Sequence, residues 1–430
     1  MHCVATKTWR AAARWARRSV LAGTVLMLLS GASLVTVDRL VARYEGAVHK
    51  ADLFGDEHPD AARSVPEPKP IEDLRGPLNI LLVGIDPRHS DPYWIPRADS
   101  VLIMHIPAGL DRGYLFSLPR DLLVPIPAFP KANYGGSSSE KLAHAMFFGA
   151  QVPGDRRANY AQGFELLAAA VKGYTGIQRF DAGAIVNFSG FRHIVDALGG
   201  IDLTVDEQVV SIHMQPDGEK RKPGRSANGY IGPQMTYEPG RRHFNGWQAL
   251  DFARQRYIAD GDYGRQRHQQ QVIRAMVSKG VSGDVLSDPI TLDRVLRAAG
   301  DSVTFSGRGY AMLDWAFALR QVRPENIVMV KLLGGGVGKW VEDKDAKSDD
   351  GDKADDGGGD APKGDDPKSD DKSDKGDKDK KKDDKPKKKY QYLGEQLDYP
   401  SRTFLASVVN GTIEQYLFAH PEMLQTMTSH

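Results

Sequence analysis

Residues 19–37 read SVLAGTVLMLLSGASLVTV, a run without one charged side chain. Nothing else limits the chain as strongly. A helix of that length spans roughly 28 Å, close to the ~30 Å hydrocarbon core of a bilayer. Helices buried in soluble domains rarely lack polar residues all round. Lys7, Arg10, Arg14, Arg17 and Arg18 precede the run, with Trp9 and Trp15 among them. Positive flanks stay on the cytoplasmic side. The expectation is a cytoplasmic tail (1–18), a single-pass signal anchor (19–37) and an extracytoplasmic remainder held at the cell membrane. Two other readings remain: Ser30-Gly31-Ala32 is a poor cleavage site, and Arg17-Arg18 before an apolar run matches part of a twin-arginine signal. The single cysteine, Cys3, precedes the run. It makes no internal disulfide, no zinc site of Cys/His spacing, and no lipidation site after cleavage.

Beyond the anchor, residues 38–76 carry Pro66, Pro68 and Pro70 among mixed charges, which predicts an extended spacer. Residues 77–430 are expected to form one domain. It is interrupted at 342–389 by a tract almost wholly of Asp, Lys, Gly and Ser, which has too little apolar surface to fold. After the tract Phe404, Leu405, Val408, Ile413, Tyr416 and Leu417 predict a terminal helix returning to the core, so the tract is an insertion and not a linker. A net charge of +1 argues against a nucleic-acid binder that works by bulk charge. Strand character at 79–85, 100–106, 114–118, 184–188, 201–205 and 327–332 alternates with helical character at 164–174, 191–198, 246–256 and 264–279. The expected fold is α/β, a mixed central sheet flanked by helices.

Three of these strands bring charge to one place. NILLVGI is continuously apolar, as a central covered strand should be, and ends at Asp86-Pro87-Arg88. Arg97-Ala98-Asp99 immediately precedes the second strand, and the third ends at Pro119-Arg120-Asp121. If the strands run up, down and up as hairpin neighbours, Asp86, Arg88, Arg97, Asp99, Arg120 and Asp121 converge on one sheet edge. Charges flanking strands are usually solvated loop ends, but six of both signs at one edge suit a metal-bridged phosphate. Carboxylates hold the cation and guanidinium forks hold the oxygens.

Two helices add arginines. Asn245-Gly246-Trp247-Gln248 has the form of a capping box, and Arg254 shares a helix face with Trp247 and Leu250. Arg256 lies on another face, so both arginines serve one site only if the helix ends between them. In the next helix Asp262 is the expected N-cap. A cation in a first turn opposes the helix dipole, so Arg265 there fits best beside an anion; the bland alternative is a salt bridge to Asp260 or Asp262.

These segments together resemble the LytR-CpsA-Psr family of cell-envelope proteins. The matching blocks are NILLVGIDPR, RADSVLIMHI, SLPRDLLVPI, NFSGFRHIVDALGGIDL and FNGWQALDFARQRYIADGDYGRQRHQQQV, in family order across roughly residues 78–275. The resemblance implies a phosphotransferase that moves a glycopolymer from a polyprenyl-pyrophosphate carrier onto a peptidoglycan sugar hydroxyl and releases polyprenyl phosphate. By the same resemblance Asp86 and Asp99 would ligate Mg²⁺ or Mn²⁺. Arg88, Arg97, Arg120, Arg254, Arg256, Arg265 and Arg267 would clamp the pyrophosphate, Gln270 belongs to the same block, and Asp121 would orient Arg120. Arg120, Asp121 and Arg265 are the catalytic candidates. Phe188, Phe191, Ile194, Val195 and Leu198 are candidate walls of a prenyl channel, with ordinary core packing as the alternative. One block departs from the family: its usual Lys-Ile-Asn is Lys141-Leu142-Ala143 here, after an extra Gly- and Ser-rich stretch at 129–140. That change bears on acceptor or glycan recognition more than on the pyrophosphate grip. The rival readings are a pyrophosphatase acting on the same carrier and a non-catalytic polyprenyl-phosphate binder.

Overall fold

The computed structural model describes residues 49–55, 74–88, 91–226, 228–258, 260–286, 288–342 and 388–425. The expected anchor at 19–37 lies outside these residues, as do 343–387 of the Asp/Lys tract. Among the described residues no helix is long and apolar enough to cross a membrane.

Along the chain run strands β1 (His49–Lys50), β2 (Leu78–Ile85), β3 (Ala98–Ile106), β4 (Gly113–Leu118), β5 (Ala182–Asn187), β6 (Ile201–Val205), β7 (Gly240–Phe244), β8 (Val303–Ser306), β9 (Ile327–Val330), β10 (Gly334–Glu342) and β11 (Lys388–Leu397). The helices that matter are α1 (Leu142–Gly149), α2 (Tyr160–Thr175), α3 (Phe188–Ala197), α4 (Gly246–Arg254), α5 (Gly261–Gly280), α6 (Pro289–Ser302), α7 (Met312–Ala318), α8 (Tyr399–Asn410) and α9 (Ile413–Ala419). One seven-stranded mixed sheet has the order β1-β8-β5-β2-β3-β4-β9, while β6 pairs with β7 and β10 with β11.

The apolar strand β2 is central, parallel to β5 on one side and antiparallel to β3 on the other. β4 returns antiparallel along β3, so the expected up, down, up order holds. Two boundaries move for a local reason. β5 stops at Asn187, whose side chain accepts from the Gly190 amide at 2.7 Å and opens α3 at Phe188. Helix α2 starts at Tyr160 and not at 164, because Asn159 caps the Gln162 amide.

Both sheet faces are covered. Leu81, Val83, Ile103 and Phe116 pack under Phe164 and Leu167 of α2 and Phe404 and Leu417 of α8 and α9. On the other face Leu102, Met104 and Leu115 meet Trp315 of α7, with Ile273 and Val277 of α5 alongside. A third cluster joins the β6–β7 hairpin to α3, α4 and α5 through Val195, Phe244, Phe252 and Val272. The C-terminal return to the core is as expected, except that Gly411 (φ +68°) divides it into two helices.

The spacer reading of 38–76 is corrected at 49–55. There β1 adds a parallel strand to β8, Leu53 is fully buried, and Phe54 meets Phe164 edge-on at 5.5 Å. Burying one leucine is worth about 2 kcal/mol, enough to fasten a strand of two residues that has no legible periodicity. The interrupted-domain reading takes a definite form: β10 and β11 pair from Gly334↔Leu397 to Glu342↔Lys388, on either side of residues 343–387.

Candidate active site

The register of β2 on β3 shifts between Gly84 and Ile85, where Ser100 opposes Gly84 and Ala98 opposes Ile85. Asp99 is therefore the extra residue of a β-bulge, a device that re-aims a side chain at a sheet edge. Its carboxylate meets Arg120, one turn beyond β4, at 2.9 Å, and its carbonyl accepts from Arg265 at 3.0 Å. Asp121 lies 3.8 Å from Arg120 and also takes Lys141 at 3.2 Å. Asp86, at the end of β2, pairs with Arg254 at 3.4 Å.

Helix α4 opens with the full Asn245–Gln248 capping box. Gly246 lets it lie against α3: its amide donates to Asp196 at 2.7 Å, and a Cβ there would come within 2.3 Å of the Arg192 carbonyl. The helix ends at Arg254, and Gln255 is extended, its side chain buried against Ser211 and Asp251. That break takes Arg256 off the helix and brings it near Asp262 and Asp99. Burial first, then the neighbouring charges of Arg265 and Arg120, push the Arg256 guanidinium down to about 10. Among the described residues Arg256 has one carboxylate within ion-pair range, Asp262 at 3.6 Å.

Helix α5 begins at Gly261, about one turn earlier than expected, and its N-cap is corrected from Asp262 to Asp260, with Gly261 in a left-handed conformation (φ +55°). Asp262 is thereby free to pair within the first turn with buried Arg265 at 2.8 Å. Burial pushes the Asp262 carboxyl up, but Arg265 and Arg256 more than offset it and hold the group below its ordinary value. The salt-bridge alternative for Arg265 is thus realised, and Arg265 shares the one carboxylate of Asp262 with Arg256. The Nε–H groups of Arg120 and Arg265 are buried and meet no acceptor among the described residues.

A part of the site that the sequence did not signal comes from β11. Glu395 donates its amide to the Asp121 carbonyl at 2.8 Å. Its carboxylate accepts from Tyr263 at 2.9 Å and Tyr392 at 3.3 Å. Lys141 lies over the Tyr392 ring, 4.9 Å from its centre. Burial holds the Glu395 carboxyl above its usual range, eased by the Tyr263 hydroxyl and reinforced by the charges of Asp262 and Asp121. No spacing in the sequence links 395 to 121, because a long tract separates β11 from its partner.

The other expected residues divide. Arg88 is exposed and stacks over Trp94 at 3.7 Å, and Arg97 is exposed just before β3, near His144. Arg267 points elsewhere: it is enclosed by Asp206, Glu207 and Asp260, tying α5 to the end of β6. Gln270 is buried below the edge and donates to Ser117 of β4 at 2.9 Å. Among the channel candidates, Phe188 carries the Arg254 guanidinium at 4.5 Å from its ring centre. Ile194 joins the second and third core clusters and Phe191 packs on the third. Val195 and Leu198 are fully buried core.

The donor set fits a hard divalent cation. The Asp86 carboxyl is raised first by burial, with Arg254 as partial relief, and also by the charge of Asp99, so the two carboxylates lie near enough to feel one another. Such paired oxygens are what Mg²⁺ or Mn²⁺ takes.

A family model described as the LytR_cpsA_psr family matches residues 45–353. A Bacillus mycoides protein named polyisoprenyl-teichoic acid–peptidoglycan teichoic acid transferase TagU is 30% identical over 49% of this chain and 55% of its own length. A protein of the same name from Enterococcus faecalis is 26% identical over 61% of this chain and 73% of its own. The chain thus spans about half the length of the Bacillus relatives it matches. The crystal structure of B. subtilis TagU aligns with 82% of this chain and 99% of its own, at 19% identity and a TM-score of 0.42.

Proposed function

The chain belongs to the LytR-CpsA-Psr family, and from that premise we propose that it is a glycopolymer–peptidoglycan phosphotransferase of the outer membrane face. The donor is a glycan on a polyprenyl pyrophosphate, and the acceptor is a peptidoglycan sugar hydroxyl. The observation that carries this reading is the gathering of Arg120, Arg254, Arg256 and Arg265 around Asp86 and Asp99, with two buried guanidinium N–H groups left without acceptors. A cluster in which Arg256 and Arg265 share one carboxylate, and in which the Nε–H groups of Arg120 and Arg265 make no hydrogen bond among the described residues, suits an oligo-anion.

In the proposed reaction the acceptor hydroxyl oxygen bonds to the sugar-side phosphorus. The P–O bond to the bridging oxygen breaks, and polyprenyl phosphate leaves with that electron pair and takes up, through solvent, the proton that the hydroxyl gives up. Arg120 and Arg265 hold the oxygens of the reacting phosphoryl group, and Arg256 faces the charge that grows on the leaving phosphate. Asp121 and Lys141 keep Arg120 in place. Asp86 and Asp99 would hold Mg²⁺ or Mn²⁺, which supplies charge neutralisation at the pyrophosphate. Phosphoryl transfer depends mainly on such positioning and charge stabilisation. The prenyl chain would lie along Phe188 and the sheet face carrying Ile80, Leu82 and Val186, side chains that are only partly buried although their strands are central. The anchor at 19–37 would keep the site beside the bilayer where such a carrier resides.

The test is turnover of a lipid-linked glycan by the full chain in detergent, with peptidoglycan fragments present. A phosphodiester-linked adduct is expected, lost on chelation and reduced about 100-fold or more in Asp99→Ala and Arg120→Ala. Release of free phosphorylated glycan without adduct would make the protein a pyrophosphatase. Tight polyprenyl-phosphate binding without turnover would make it a carrier-binding regulator.

A further inference from the structure

Beside the pyrophosphate site, and sharing Asp86 and Arg254 with it, lies a cavity of about 700 Å³. Its floor is Phe188 and Arg192 of α3 with Trp247 of α4, and its roof is the segment between β6 and β7. That volume is in the range of pockets built for small organic ligands.

The roof is fixed. Arg221 is buried and donates to the carbonyls of Ile212, Tyr230 and Gly232 at 2.8, 3.0 and 3.2 Å. At Gly218 (φ +87°) the backbone passes so close to Trp247 that a Cβ would stand 3.1 Å from the ring. His213 and Tyr230 pack edge to face at 5.0 Å.

The charge of the cavity is lopsided. Arg192, Lys220 and Lys222 line it, are exposed, and have no ion-pair partner among the described residues. Of its two carboxylates, Asp86 is paired with Arg254, and Asp251 is buried, accepting from Ser211 and Tyr237 at 2.9 Å each. A rigid pocket with three uncommitted cations, an indole and a phenol is suited to sugar rings that carry negative charge.

We propose that this cavity binds acidic units, bearing phosphate or carboxylate groups, of the glycan that continues from the pyrophosphate. The assignment of a donor glycan rests on the proposed transferase reading; the preference for acidic sugars rests on the cavity itself. An anionic membrane surface is the less fitting occupant, because the cations face into a concave pocket with aromatic walls.

The test uses the full chain in detergent and the double variant Arg192→Gln/Lys222→Gln, neither residue belonging to the pyrophosphate site. Calorimetric titration with a galacturonate tetramer should show binding that weakens about tenfold or more in the variant, and a neutral galactose tetramer should not bind comparably. Two lipid-linked donors, one with a uronate-bearing and one with a neutral oligosaccharide, should differ in KM for the wild type and converge in the variant, with kcat unchanged. Equal affinity for both tetramers, or a variant that affects both donors alike, overturns the proposal. So does loss of binding to phosphatidylglycerol vesicles without any effect on the tetramers, which would assign the cations to the membrane. If neither donor turns over while the galacturonate tetramer binds in an Arg192/Lys222-dependent way, the transferase reading fails and the cavity stands.

Discussion

Arg254 and Arg256 illustrate how one residue decides what its neighbours can do. Helical geometry separates positions two apart, so the pair could share a site only through a break. Gln255 supplies it, its side-chain amide held by Ser211 and Asp251 in the interior. The requirement for a break was legible; the packing that satisfies it was not, because Ser211 and Ile212, which hold the Gln255 side chain with Asp251, come from a segment some forty residues upstream. Asp262 shows the reverse case. Its place in the first turn depends on Gly261 taking a positive φ, which shifts the cap to Asp260. The consequence is testable. Asp262→Asn leaves Arg265 buried with reduced compensation and should destabilise the fold by about 3 kcal/mol. The Asp262 carboxyl is held below its ordinary value, so its contribution is complete above about pH 4 and disappears as pH falls through the lower folded value. Urea midpoints of wild type and variant should therefore differ at pH 7 and converge in acid. Equal midpoints at pH 7 would remove Asp262 from the support of Arg265.

Among the elements, the three strands that carry Asp86, Asp99 and Arg120 were readable from apolar runs and one short turn. The bulge at Asp99 was not, since a register shift leaves no mark in a single strand's composition. The β10–β11 hairpin was hidden more deeply. Its first strand opens on Gly334-Gly335-Gly336, which reads as a loop, and its partner lies beyond the Asp/Lys tract. Yet β11 places Glu395 against Asp121 and Tyr263, beside the arginine cluster. A carboxyl raised by burial favours the folded state only while it is protonated. That favour is present below the unfolded value of about 4.3 and lost as pH rises through the folded one. At pH 8 the charged Glu395 is thus a burden on stability. Glu395→Gln should raise Tm at pH 8, with the gain shrinking to nothing near pH 4, and should lower transfer activity through the Tyr263–Lys141 surround. A variant less stable than wild type at pH 8 would mean that the carboxylate charge is itself needed to hold the hairpin.

For the whole molecule, the open question is what the interruption of the domain does to it. The ladder between β10 and β11 persists to Glu342↔Lys388, so the two ends that residues 343–387 connect already stand as paired neighbours. Joining them needs only a tight turn, and Asn-Gly is the natural choice for a two-residue hairpin. Among the described residues, those that build the site, Asp86, Asp99, Arg120, Arg254, Arg256, Arg265 and Glu395, lie on β2, β3, β4, α4, α5 and β11 or their ends. The tract's composition offers no apolar surface for the core, which is complete around Phe116, Phe164 and Phe404. Replacing 343–387 by Asn-Gly should therefore leave the fold intact. Loop-closure entropy grows with the logarithm of length, so shortening the connection should add up to about 2–3 kcal/mol of stability. A raised Tm with unchanged transfer kinetics is the expected result. A lowered Tm would show that the tract packs on the domain, and a raised Tm with lost transfer would show that it acts on the substrate or acceptor.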